Sequence, residues 1–218
     1  MIWKLLIFIL MTAVIVLSFT TPAPQQAIGE ASRIMYYHVP MAWISVLAFA
    51  MSMVYSIQYL RGRQLSYDER ALDAARLGFV FCVLAAISGS VFARVAWGSF
   101  WNWDPRETSI FVLLLIYGAY FALRGAVEEE DRRAALTAVY SIFAFLTVPF
   151  LVFVMPRIMP SLHPADSVVD ATISITMGPT VGLILLASLV LFTSLFLWVF
   201  YIAVRIRRLQ RSDLKKED

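Results

Sequence analysis

Apolar residues in this chain run in long blocks separated by short polar junctions, with neither the alternation of a strand nor the narrow stripe of a surface helix. Six blocks approach the length of a bilayer crossing: residues 3–21, 41–60, 72–96, 108–123, 134–155 and 180–204. A spanning helix needs about 20 predominantly apolar residues. In lipid its backbone must satisfy its own hydrogen bonds, which helices do and open strands do not. The pattern therefore predicts an all-α integral membrane protein with six transmembrane helices. Residues 1–218 read as one six-helix domain, with a tryptophan-rich loop at 97–107 and a basic tail at 205–218. The junctions leave no room for a nucleotide-hydrolysing module, so any energy source must be a partner.

Composition agrees with the pattern: 61% of residues are hydrophobic and 15% charged, against about 45–50% and about 25% in soluble domains. The net charge of +3 says less than its placement. Lys4, the Arg61–Arg63–Arg70–Arg76 group, the Arg124–Arg132–Arg133 group and the C-terminal Arg and Lys residues all fall on one side of the predicted topology. They make up 14 of the 18 Lys and Arg residues. By the positive-inside rule that side is cytoplasmic, and both termini lie there. The acidic run Glu128–Asp131 on the same side reads as a solvated turn. The first block has a basic start, but it is longer than a signal-peptide core and lacks a good cleavage site, so it reads as a retained span. The single Cys82 lies mid-span as a small apolar residue, and no C-x-x-C-H motif for covalent haem attachment is present.

Three segments are then expected outside: 22–40, 97–107 and 156–179. The only 2 histidines, His38 and His163, both fall there, each close to a membrane boundary and a proline. Taken singly, each reads most simply as a hydrogen-bonded interfacial residue. Together, on one face, they suggest a pair of iron ligands clamping a flat macrocycle, since neutral imidazole is a common haem ligand. Ile28, Ala31, Met35 and His38 recur at helical spacing, which predicts a helix along the membrane surface with His38 on its apolar side. Arg33, Arg94, Arg106 and Arg157 break the charge bias and also lie outside. They are candidate partners for propionate carboxylates. Each has a plainer alternative: pairing of Arg33 with Glu30, snorkelling of Arg94, lipid phosphate for Arg157.

Half of the 6 tryptophans occur within Trp97–Gly98–Ser99–Phe100–Trp101–Asn102–Trp103. An aromatic belt explains Trp3, Trp43 and Trp198 but not three such residues in seven. A shelf for a planar ligand explains them better, with Gly98 permitting close approach. If the run continues the third helix, Trp97 and Trp101 share a face. The next residues, Asp104–Pro105–Arg106–Glu107, have the order of an N-cap, a first-turn proline and a third-position acid. Asp104 therefore reads first as the cap of the fourth helix.

The string Trp97-Gly98-Ser99-Phe100-Trp101-Asn102-Trp103-Asp104 resembles the WGxxWxWD signature of the WWD-domain proteins that handle haem in cytochrome c maturation. With six spans, short length and two outer histidines, the chain resembles the CcmC family along essentially its whole length. The resemblance implies a bacterial inner-membrane protein that holds haem b non-covalently, as cargo, on its periplasmic face. It implies partnership with the ABC-transporter subunits CcmA and CcmB and the small membrane protein CcmD, and delivery of haem to the chaperone CcmE. It makes His38 and His163 the axial ligands, and Trp97, Gly98, Trp101, Trp103 and Asp104 the haem platform. The tail of the motif is also similar to the CcsA or ResC type of cytochrome c synthase, so a haem-lyase role is the enzymatic alternative. A permease or scaffold ranks below both, because the spans carry few polar residues to mark a path. No nucleophile or carboxylate pair suggests hydrolase or transferase chemistry, and no nucleic-acid partner is expected.

Overall fold

The computed structural model describes residues 2–25, 28–163 and 178–217, with side chains to residue 210. Among them the chain is helical: α1 (Ile2–Thr20), a 3₁₀ turn (Gly29–Ile34), α2 (Met35–Gly62), α3 (Leu65–Trp97), α4 (Pro105–Ala126), α5 (Glu130–Pro149), a π-helical turn (Phe150–Val154), α6 (Met155–Ile158) and α7 (Pro179–Glu217). Six helical stretches are long and apolar enough to cross a membrane, as expected. Residues 164–177, including Pro164, lie outside the described residues, as do the side chains of Arg211, Lys215 and Lys216.

The helices outrun the apolar blocks that predicted them. α2 begins six residues before position 41 and α7 continues well past position 204. Hydropathy marks the lipid-facing stretch, whereas the hydrogen-bond ladder continues for as long as the backbone allows. The first outer segment is corrected accordingly. It does not lie along the surface as a separate helix, because the 3₁₀ turn runs directly into α2 and His38 sits in the first turns of that helix. Pro40 inside α2 has no N–H to donate, and the Tyr36 carbonyl four residues back accepts instead from Ser188 Oγ of α7.

α2 and α3 pack together most extensively, and α2 also packs on α5 and α7. Small residues let the backbones approach: Ala48 and Gly78 are buried between them, and a Cβ built on Gly78 would lie 2.7 Å from Phe49. Phe49 stacks on Tyr117 of α4 with centroids 3.5 Å apart, beside Cys82, Leu113 and Val148. α1 packs against α7 through an edge-on Trp3–Trp198 contact at 5.2 Å and otherwise keeps most of its surface outward. At the basic end, two carboxylates of α3 bind arginines of neighbouring helices. Asp68 takes both Arg124 nitrogens at 2.8 and 2.5 Å, and Asp73 pairs with Arg207.

Candidate functional site

At the opposite end, three chain segments converge. α3 stops at Trp97 because Gly98 adopts φ +83° and turns its N–H back to the Arg94 carbonyl. A side chain there would meet nothing within 4 Å, so the glycine serves the turn and not a close approach. The tryptophan run is consequently a loop, and Trp97 and Trp101 do not share a helical face. α4 then opens on Asp104 as the sequence predicts. Its Oδ1 accepts the Arg106 N–H at 2.9 Å, and Glu107 Oε2 accepts the Asp104 N–H at 3.4 Å and the Asn102 N–H at 2.7 Å.

Asp104 has a second task that no local pattern announces. Its Oδ2 accepts from Ser161 Oγ and from the Leu162 N–H, both at 2.7 Å, and its Oδ1 lies 3.0 Å from His163 Nδ1. The carboxylate is completely buried. Burial alone would raise its pKa; donation by Ser161 and by the Arg106 and Leu162 amides outweighs this and holds it below the usual value. His163 moves the other way: burial, helped by the Arg106 charge and opposed by Asp104, pushes it down to about 4. Near neutral pH the contact is therefore a hydrogen bond from a neutral ring, not an ion pair. A carboxylate only accepts, so Nδ1 of His163 carries the proton and Nε2 presents a lone pair.

His38 reaches the same place from α2. Its Nδ1 lies 3.0 Å from Ser88 Oγ of α3, and its ring lies over Gly89, where a Cβ would come 3.0 Å from Cε1. Both histidines line one cavity of about 180 Å³, whose walls come from the start of α2, the Ala85–Ser90 stretch of α3, Trp101, and Arg106, Glu107 and Ile110 of α4. The lining is mainly apolar, with imidazoles, one guanidinium and one carboxyl group set into it. Trp97 stands behind the site with its ring edge-on to His163 at 4.7 Å. Trp101 packs edge-on against Phe111 and Trp103.

The remaining predicted residues fall outside the lining. Trp103, at φ +56°, is 73% exposed. Arg33 is buried and committed: it pairs with Glu30 and donates to the Ser18 and Thr21 carbonyls at 2.5 and 2.6 Å, closing the end of α1. Arg94 donates to the Gly98 carbonyl and Arg157 to the Phe153 carbonyl. Of the four outer arginines, Arg106 is the one in the cavity wall. Ser88, Gly89 and Ser161 were not singled out by sequence. The one available signal was Ser88–Gly89–Ser90, a small polar interruption in an otherwise apolar span.

Gly89→Ala isolates the contact with His38. Helix propensity favours alanine by about 1 kcal/mol, whereas overpacking costs about 1–3 kcal/mol. The variant is expected to gain no stability in thermal unfolding and to shift the His38 imidazole resonances. A stabilised protein with unmoved resonances would contradict the packing.

Comparison with known proteins adds relatives to this geometry. A curated protein named Heme exporter protein C from Bradyrhizobium diazoefficiens is 35% identical over 125 residues, covering 57% of this chain and 48% of the relative. Its namesake from Rhodobacter capsulatus is 36% identical over 133 residues, covering 59% and 54%. A protein named Cytochrome c biogenesis protein CcsA from Pelargonium hortorum is 34% identical over 98 residues, covering 44% and 30%. The aligned regions thus span about half the length of the curated Heme exporter protein C relatives. The family model for CcmC, Heme exporter protein C, matches residues 1–217, and the chain belongs to that family.

Proposed function

We propose that this cavity binds haem and that the chain hands it on during c-type cytochrome biogenesis. The observation that carries the reading is the shared orientation of the two histidines. Each has Nδ1 engaged with a side-chain oxygen on another element, and both rings line one largely apolar cavity. That leaves two Nε2 lone pairs for iron, the arrangement in which outer partners orient metal-binding imidazoles. The donor set suits haem in other respects. Trp101 and the apolar wall match a macrocycle's faces, Trp97 supports His163, and Arg106 is placed for a propionate through its planar fork of donors. Glu107 Oε1 is buried without a hydrogen-bond partner among the described residues, which marks the wall as polar where a ligand would supply a donor.

Haem is the cargo in this reading, and the chain contributes ligation, orientation and exclusion of water. Family membership favours transfer to a chaperone of the CcmE kind, in a complex with CcmA, CcmB and CcmD. The charge pattern favours an inner-membrane location with the site on the periplasmic face. Protein purified from haem-replete cells should show a Soret band with low-spin, six-coordinate features, and His38→Ala and His163→Ala should each abolish those features. A colourless protein that takes up no added haem would refute the proposal.

The similarity to CcsA-named relatives supports one alternative, direct joining of haem to apocytochrome c. Incubating haem-loaded protein separately with apocytochrome c and with the chaperone distinguishes them. Covalent attachment in the first mixture favours the synthase, and transfer in the second favours delivery.

A further inference from the structure

The two histidines are held by chemically different partners. His163 faces the Asp104 carboxylate. His38 faces the Ser88 hydroxyl at 3.0 Å, and that oxygen also lies 2.8 Å from the Leu84 carbonyl and 3.1 Å from the Ala85 carbonyl of its own helix. Carbonyl oxygens only accept, and a hydroxyl that gives its single proton to the α3 backbone meets the ring as an acceptor. His38 then carries its proton on Nδ1 and leaves Nε2 bare. Gly89 provides the space in which the ring takes this position.

We infer that Ser88 is a positioning residue that sets the tautomer of His38, and that the serine–carboxylate difference makes His38 the weaker of two iron ligands and the first to let go. The inference rests on the haem reading above. A hydrogen bond to a carboxylate is roughly twice as strong as one between neutral groups and raises the basicity of the ligating nitrogen. Asp104 therefore strengthens the bond from His163 to iron, while the already committed hydroxyl of Ser88 orients His38 without comparable reinforcement. Such a clamp opens on one side: the macrocycle stays tethered through His163 while the His38 side is exposed to an acceptor.

Because the chain has only 2 histidines, ¹⁵N-histidine labelling reports each tautomer directly in haem-free protein. Both rings should be Nδ1–H. Ser88→Ala should convert His38 to a mixture of tautomers and leave His163 unchanged, which also shows that the site has folded. Ser88→Thr, which keeps the hydroxyl, should restore the wild-type signal. With haem added, Ser88→Ala should lower affinity about 10-fold and increase the five-coordinate high-spin fraction. Carbon monoxide bound to the ferrous complex displaces one histidine. The resonances that return to their haem-free positions should be those of His38. Release of His163, or an Nε2–H tautomer of His38 in the wild type, would overturn the inference. If Ser88→Ala changes neither tautomer nor spin state while His38→Ala abolishes the low-spin signature, the role of Ser88 fails and the haem reading stands. If His38→Ala also leaves the spectrum unchanged, the haem reading fails, and the tautomer measurement still decides the role of Ser88.

Discussion

Asp104→Ala will destabilise the protein by about 3 kcal/mol or more and will free His163. The helix cap alone accounts for about 1 kcal/mol. The larger part comes from donors left buried without an acceptor, each costing about 1–3 kcal/mol. Four donors converge on this carboxylate: the Arg106 and Leu162 amides, Ser161 Oγ and His163 Nδ1. Asparagine would not rescue the site, because it offers one oxygen where two are used and turns an NH₂ group toward donors. Thermal unfolding in detergent should show a fall of about 6–12 °C for both variants. The ¹⁵N signals of His163 should lose their Nδ1–H character while those of His38 keep it. An Asp104→Asn protein with wild-type stability and an unmoved His163 would reduce Asp104 to a simple helix cap.

The second large effect is at the other end of the bundle. Asp68→Ala removes the acceptor that holds Arg124, in a pair whose side chains are 6% and 13% exposed. An uncompensated buried cation costs about 3–5 kcal/mol, relieved only in part by the Thr137 hydroxyl, which lies 3.0 Å from Arg124 Nη1. Replacing both partners with leucine removes the charges together and should cost much less than Asp68→Ala alone. A double-mutant cycle on thermal unfolding measures the difference. A single variant within about 0.5 kcal/mol of wild type, the range of ordinary surface changes, would show that water reaches the arginine. The proposed haem binding should survive in the double variant, because the pair is at the end of the bundle away from the cavity.

Six spans were readable from sequence because lipid imposes a long uninterrupted apolar signal, and the α4 cap was readable because its partners lie within three residues. The same carboxylate shows where such reading ends. Its link to Ser161, Leu162 and His163 crosses 57 to 59 positions, and the His38–Ser88 link crosses 50. Contacts of that kind leave no periodicity and no motif. The role of Arg33 was half legible: Glu30 lies three residues away, but the Thr21 and Ser18 carbonyls that it also binds are 12 and 15 residues distant. The tryptophan run was conspicuous by composition, yet the positive φ of Gly98 and Trp103 decides where each ring goes. That is why Trp97 supports His163, Trp101 lines the cavity and Trp103 faces outward.

The reach of Asp104 also gives the site an order of construction. During synthesis the α4 cap can form as soon as Glu107 has left the ribosome. The carboxylate then waits with one oxygen unused through the making of α5 and the π-helical turn. Ser161 and His163 arrive only after five of the six spans have been made. A nascent chain halted earlier would carry the tryptophans and His38 but no second imidazole. The cavity therefore gains its second imidazole late, and its lining is assembled in the order in which the chain is made.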